Sequence, residues 1–356
     1  MKNIFRFAVT AMLGCSVVSC QAQPATLETF IQQKGDSLLQ KEQLPGLFAG
    51  VLNNGQRSYY HFGYANPDKK LAFDENTLFE IGSITKTFTA FVLESVLRDK
   101  GIGDSSSILP YLPDSVQKNK ALEKISFLSL MNHTSGLPRL PENMSLDGTL
   151  SPYDHYTIKD LYSYLSTAVP KPNGKSNYSN LGAGLAGVLA ASLTGKSYAT
   201  LLDEYIFLPF SMVTPDKAIV NAGENKSQGF FGEQEVPYWN MDVLVPAGGL
   251  KCSGKEMLQY LSVMMKPNSK PAEKIIDGLL EPTVSINARV KVGRGWHMIE
   301  EKDKPVIYWH NGGTYGFSTF AAFTKTGKAV IIAVNRFNSN AASDWLGVTI
   351  MKKLME

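Results

Sequence analysis

The stretch Leu78-Phe79-Glu80-Ile81-Gly82-Ser83-Ile84-Thr85-Lys86-Thr87-Phe88 decides how the chain is read. Leu78 to Ile81 is strand-like, and it gives way to a helix that runs on to Lys100. Phe88, Phe91, Val92, Leu93 and Val96 supply the apolar side of that helix. Ser83 therefore stands near a helix N-terminus, where backbone N–H groups point outward and favour negative charge. Lys86, three positions on, shares its face. A lysine held against a serine hydroxyl can take its proton if burial lowers the pKa of the ammonium. The spacing alone is common: Ser115-Val116-Gln117-Lys118 has it too, but in a polar stretch after Pro113 that reads as solvated surface. The strand-to-helix junction is what singles out Ser83.

Outward from this junction, the chain changes character twice. Upstream, a helix pattern (Leu27, Phe30, Ile31, Leu38) precedes two strand-like runs, Gly46 to Leu52 and Arg57 to Tyr64. The intervening Asn53-Asn54-Gly55 is a hairpin signal. Downstream, residues 104 to 285 are mostly helical in pattern, as in Ile158 to Ser166, Leu181 to Leu193 and Lys255 to Met265. Strands then return at Val306 to Trp309, Phe317 to Phe323 and Ala329 to Val334, and a helix over Ala341 to Met355 closes the chain. The pattern predicts a sheet built from both ends of the chain, over 24–104 plus 285–356, interrupted by a helical subdomain over 105–284. A cleft is expected where the two meet.

Composition narrows the function. The chain has 356 residues, 44% of them hydrophobic and 19% charged, with a net charge of +3. That suits a globular chain with a core and excludes one that is mainly disordered. So small and evenly spread a charge gives no nucleic-acid surface. No apolar stretch reaches the roughly 18 residues of a membrane span. Lys2 and Arg6 precede the apolar run Phe7 to Val18, which has the length of a signal-peptide core. A cut after Ala22 gives residues 1–22 as a signal peptide and an exported, periplasmic or secreted protein. Alternatively, Val17-Val18-Ser19-Cys20 resembles a lipobox, which would end the signal at residue 19 and put lipid on Cys20 as the sole membrane link. Of the three cysteines, Cys15 and Cys20 lie in this segment and Cys252 is left alone, so no disulfide is expected. The histidines His61, His133, His155, His297 and His310 are scattered without zinc spacing.

Two further segments carry chemistry. In Tyr178-Ser179-Asn180, a tyrosine near ammonium groups can have a lowered pKa and shuttle a proton, and the asparagine can hold both a lysine and a substrate amide. Tyr178 can equally be the residue before a helix that Ser179 and Asn180 cap. Tyr64-Ala65-Asn66 and Tyr238-Trp239-Asn240 match the pattern as well. In His310-Asn311-Gly312-Gly313, glycines at a strand edge let a ligand come close, and a free N–H there could pair with that of Ser83 around an oxyanion. A plain bulge or turn would look the same. Gly-x-Ser-x-Gly does not occur, and Thr194-Gly195-Lys196-Ser197 lacks the first glycine of a phosphate loop and reads as a helix end.

Taken in order, Ser83-x-x-Lys86, Tyr178-Ser179-Asn180 and His310-x-Gly312 resemble the class C β-lactamase and serine D-alanyl-D-alanine carboxypeptidase family, with its esterase and D-aminopeptidase relatives. Asn132-His133-Thr134-Ser135-Gly136-Leu137-Pro138 and Pro246-Ala247-Gly248-Gly249-Leu250 resemble it too, and the likeness covers residues 27 to 340. It implies an α+β fold, an antiparallel sheet flanked by helices with an inserted all-helical subdomain. It implies Ser83 as nucleophile, Lys86 as its proton partner, Tyr178 as acid/base and Asn180 as the residue that orients lysine and substrate. The N–H groups of Ser83 and Gly313 become the oxyanion donors, and no metal or organic cofactor is needed. The chain departs from the β-lactamases of this family at the third motif, where they have Lys-Thr-Gly. The register that fits Gly316-Phe317-Ser318 places His310-Asn311-Gly312 there, facing the substrate, and leaves the literal Lys325-Thr326-Gly327 as a hairpin turn. The expectation is an exported serine hydrolase that cleaves a D-amino-acid peptide, amide or ester through an acyl-enzyme. The alternatives are a β-lactamase and a non-catalytic penicillin-binding sensor. The partner in each case is a small molecule or peptide, such as a peptidoglycan peptide or a β-lactam. Loops around 140–157 and 222–245, with Tyr153, Phe230, Phe231, Tyr238 and Trp239, are expected to line the cleft.

Overall fold

A computed structural model describes residues 26–146, 148–213 and 223–356. The export segment, with Cys15 and Cys20, lies outside the described residues. Strand β1 (Gly46–Asn53) is buried along nearly its whole length, whereas β2 (Gln56–Gly63) is mostly half-exposed. Asn54 and Gly55 join them with φ of 51° and 92°, both in the left-handed region that a tight hairpin turn demands. The short strands β3 (Leu78–Glu80) and β6 (Lys251–Ser253) pair with each other, as do β4 (Gly229–Phe231) and β5 (Gln234–Val236). The main sheet takes β7 (Val284–Ser285), β8 (Val290–Val292), β9 (His297–Ile299), β10 (Ile307–Gly313), β11 (Ser318–Thr324) and β12 (Lys328–Val334). Its order is β2-β1-β12-β11-β10-β9-β8-β7, antiparallel throughout. The two ends of the chain meet in its middle, where Leu47 faces Val334.

Every residue of β11 is buried because helices cover both faces of the sheet. Helices α1 (Leu27–Glu42) and α5 (Asn340–Leu354) bury Ala49, Val51, Phe320, Ile332 and Val334 on one side. Phe48, Ala321, Ile331 and Ala333, the alternate residues, join a core with α2 (Thr85–Asp99), α3 (Asn180–Thr194) and α4 (Gly254–Met265) on the other. The antiparallel sheet flanked by helices is thus present. Helix α4 buries Met257, Leu258, Leu261 and Met264, and the covering it needs is the sheet itself, so it packs on β1, β11 and β12. Among the described residues no helix is long and apolar enough to cross a membrane.

Candidate active site

A cleft of about 510 Å³ opens beside the junction that began the sequence reading, and Ser83 is in its lining. Ser83 sits in a single tight turn, Gly82–Ile84, that leads into α2. Lys86, one turn on, is 3% exposed. Its Nζ is 3.0 Å from Ser83 Oγ, 2.9 Å from Asn180 Oδ1 and 2.5 Å from the carbonyl of Ala247. Burial holds its pKa well below the ordinary lysine value, and the charge of Arg139 lowers it further. A neutral amine has two N–H donors and one lone pair. Asn180 and Ala247 are acceptors and take the two N–H groups, which leaves the lone pair for the Ser83 hydroxyl.

Tyr178 and Asn180 are placed by the loop 132–139. Asn177 N donates to the His133 carbonyl at 2.7 Å, and Ser179 N donates to His133 Nδ1 at 3.2 Å. Ser179 Oγ donates to the Pro138 carbonyl at 2.6 Å and caps α3 through Gly182 N at 2.9 Å. Asn180 N donates to the Arg139 carbonyl at 2.9 Å. The capping and cleft-lining readings of this segment therefore coexist. Tyr178 lies 4.8 Å from Lys86 Nζ by ring centre and lines the same cleft as Ser83. Its phenol is not lowered: burial pushes it above the ordinary tyrosine value, more than Ser83 and Arg139 pull it down. It is a protonated phenol at neutral pH.

The end of β10 abuts the Ser83 turn backbone to backbone. A Cβ on Gly312 would lie 2.0 Å from the Ile81 carbonyl oxygen, and one on Gly82 would lie 2.6 Å from Gly313 N. Gly82 also has φ of 51°. Gly312 and Gly313 line the cleft, and so does Asn311, whose amide donates to Asp344 at 2.7 Å. The His310 ring does not face the cleft as expected. It is 1% exposed and packs under the wall, 5.2 Å from the His297 ring and 6.3 Å from that of Tyr178. Strand alternation puts His310 on the α2 side of the sheet, against Tyr178 and His297, and turns the Asn311 side chain to the other face, where it meets Asp344 of α5. His310 Nδ1 meets its own neighbour's carbonyl, Asn311 O, at 2.6 Å, so that nitrogen carries the proton. Burial, then the charges of His297 and Lys86, hold its pKa well below the usual histidine value.

Lys325 stands in the β11–β12 turn, 3.7 Å from Asp277 and outside the cleft lining. The competing matches fall elsewhere. Ser115 and Lys118 are exposed, and Tyr64 is 44% exposed. Tyr238 spends its hydroxyl on the carbonyls of Leu78 and Ser227. Tyr153 and Trp239 line the cleft with rings 4.8 Å apart. Phe230, Phe231 and Tyr238 are not among the lining residues.

Sequence reasoning missed several residues here. Glu80, buried, accepts from Trp239 N at 2.5 Å and from the Thr314 hydroxyl at 2.6 Å, tying β3 to the loop after β10. His133 packs 4.5 Å from the Tyr178 ring, and burial lowers His297 to about 4, so the imidazoles behind Tyr178 are neutral. Arg139, in the cleft lining, follows directly on the Asn132 to Pro138 segment. A cation beside that segment was the only signal available. Among the described residues no three His, Cys, Asp or Glu side chains are grouped to hold a metal ion. Cys252 is buried and unpaired.

A family profile described as Beta-lactamase matches residues 27–349. The chain is 29% identical over 276 residues to a Beta-lactamase of Providencia stuartii, spanning 75% of this chain and 67% of that protein. It is 25% identical over 343 residues to the D-alanyl-D-alanine-carboxypeptidase/endopeptidase AmpH of Escherichia coli (strain K12), spanning 90% and 88%. The solved structure of a Beta-Lactamase/D-Alanine Carboxypeptidase from Pseudomonas syringae superposes with a TM-score of 0.79 at 20% identity, over 92% of this chain and 99% of that one, a likeness of fold.

Proposed function

The chain belongs to the β-lactamase family of serine hydrolases, and from that premise we propose that Ser83 is its nucleophile and that it cleaves a D-amino-acid peptide, amide or ester through an acyl-enzyme. One observation carries the reading: a buried lysine whose Nζ lies within hydrogen-bond distance of Ser83 Oγ, Asn180 Oδ1 and the Ala247 carbonyl. Lys86 takes the hydroxyl proton as Ser83 Oγ bonds to the substrate carbonyl carbon. The oxygen that gains charge is held by the N–H groups of Ser83 and Gly313. The tetrahedral species collapses, the bond to the leaving atom breaks, and Tyr178 gives that atom its proton and recovers one from Lys86. Water then releases the acyl group by the same steps in reverse. The chemistry needs no metal or organic cofactor.

Substrate choice rests on the third motif. A charged group there would hold a substrate carboxylate, and a buried neutral imidazole does not. This favours the carboxypeptidase and esterase type over an efficient β-lactamase. The β-lactamase reading stays as the second, because a relative bears that name. The basic start and apolar run of residues 1–22 support export, with a cut after Ala22 or lipid on Cys20. The test is a panel with the purified protein: a chromogenic cephalosporin, short acyl esters, and D-alanine-terminated and D-aminoacyl peptides. Turnover of an ester or peptide above that of the cephalosporin is expected. The reverse order would make the chain a β-lactamase. Acylation of Ser83 without turnover of any substrate would make it a sensor.

A further inference from the structure

Among the described residues lining the cleft, Arg139 is the one charged side chain, and none is a carboxylate. Its guanidinium lies 5.2 Å from the centre of the Tyr178 ring. It is in no ion pair among the described residues, unlike Arg294, whose guanidinium meets three carboxylates. The point from which it hangs is fixed. The Arg139 carbonyl accepts from Asn180 N at 2.9 Å and Leu181 N at 3.3 Å, so the residue moves with the helix that presents Asn180. The nearby alternatives are already engaged. Lys86 is buried with its donors taken, the His310 ring is under the wall, and Lys325 stands beside Asp277 outside the cleft.

We propose that Arg139 is the receptor for a carboxylate on the leaving fragment of the substrate, in place of the cation that the third motif lacks. The inference rests on the acyl-enzyme reading above, because that reading makes Tyr178 the proton donor to the leaving atom. A group bound beside the Tyr178 ring then belongs to the leaving side. A guanidinium presents a planar fork of donors that matches a carboxylate two bonds at a time. The enzyme would thus select substrates that end in a free carboxylate just beyond the scissile bond.

Three esters test this. Phenylacetyl-glycyl-D-lactate and its methyl ester share an acyl half and differ only in a leaving-fragment carboxylate. The third carries a succinyl carboxylate on the acyl half and releases methyl D-lactate. The wild-type protein should prefer the free lactate over its methyl ester by roughly 10- to 100-fold in kcat/KM, the size of one charge-assisted contact. Arg139→Gln should cut that ratio by about tenfold or more, and Arg139→Lys should keep part of it. Unfolding midpoints of both variants check that the fold is intact. Equal kcat/KM for the matched esters in the wild type, or an unchanged ratio in Arg139→Gln, overturns the inference and leaves the hydrolase reading standing. A preference carried by the succinyl carboxylate overturns the placement on the leaving side. No turnover of any of the three overturns the hydrolase reading and the inference with it.

Discussion

Lys86 owes its chemistry to burial more than to its neighbours. A solvated lysine is an ammonium at neutral pH, with no lone pair to offer. Here desolvation is the leading cause of its lowered pKa, with the Arg139 charge second. The active form is the neutral amine, so kcat/KM for an ester should fall as pH drops through the displaced pKa and should be on its plateau well below pH 10.5. A rising limb centred near the ordinary lysine value would refute Lys86 as the base. Lys86→Arg keeps a cation of similar length that never deprotonates, and should lose about 10²- to 10⁴-fold in kcat/KM. Retention within tenfold would mean that a positive charge, not a base, is needed. Tyr178 calls for a different comparison. Its phenol stays protonated, since burial outweighs the pull of Ser83 and Arg139. A proton donor matters most when the leaving group is basic. Tyr178→Phe should therefore slow an alkyl ester much more than a p-nitrophenyl ester. Equal slowing of both would leave Tyr178 as a packing residue under Lys86.

At the scale of elements, the site exists because β10 touches the Ser83 turn with nothing in between. Gly312 has no room for a side chain, with the Ile81 carbonyl oxygen 2.0 Å and Thr319 Oγ1 2.5 Å from where its Cβ would stand. Thr319 also donates to the Ile81 carbonyl at 3.0 Å, so β11 grips the same turn. Gly312→Ala must push β10 away from Ile81. The expected cost is about 1–3 kcal/mol in stability, and about 10²- to 10³-fold in kcat if an oxyanion donor moves with the strand. Thermal unfolding and single-turnover acylation would measure the two separately. Near wild-type acylation in a destabilised variant would remove Gly313 N–H from the oxyanion site. This contact also marks the limit of what the sequence can say. The Ser83 junction, the hairpin at Asn54-Gly55 and the Ser179 cap are local, set by residues a few positions apart, and each was readable. So was Tyr178-Ser179-Asn180 as a unit. That the His310 ring is sealed against Tyr178 and His297 and stays out of the cleft lining depends on what packs around the end of β10, and periodicity does not carry that. Arg139 was invisible for a similar reason. Its place follows from the hydrogen bonds that join 132–139 to 176–181 across an intervening loop and helix.

For the whole molecule, the question is what keeps the sheet and the inserted segment in one register around the cleft. Arg294, in the turn between β8 and β9, crosses that boundary. It lies 3.2 Å from Glu94 on α2 and 2.7 Å from Asp104 at the start of the insertion, and it donates to the Gly278 carbonyl at 2.6 Å. The next residue, Gly295, has φ of 76°, and a Cβ there would lie 2.9 Å from both the Ala90 Cβ and the Lys86 carbonyl oxygen. The turn is thus wedged against the helix that carries Lys86. Glu94 is raised to about 7, by burial first, with Arg294 as the main opposing influence. A carboxyl raised above its unfolded value of 4.5 stabilises the fold fully below that value, and the contribution is lost as pH rises through about 7. Removing the guanidinium in Arg294→Met takes away what restrains the rise. At pH 8 the fold must then keep a buried, unpaired carboxylate or hold its proton against the solvent. At pH 5.5 Glu94 is protonated in the variant and the penalty eases. We expect a destabilisation of about 3–5 kcal/mol at pH 8, smaller by about 1 kcal/mol or more at pH 5.5, measured by urea unfolding at the two pH values. In a Glu94→Gln background the difference between the two pH values should shrink, since the titrating group is gone. An Arg294→Met penalty that is the same at both pH values would show that Arg294 holds the boundary by packing alone.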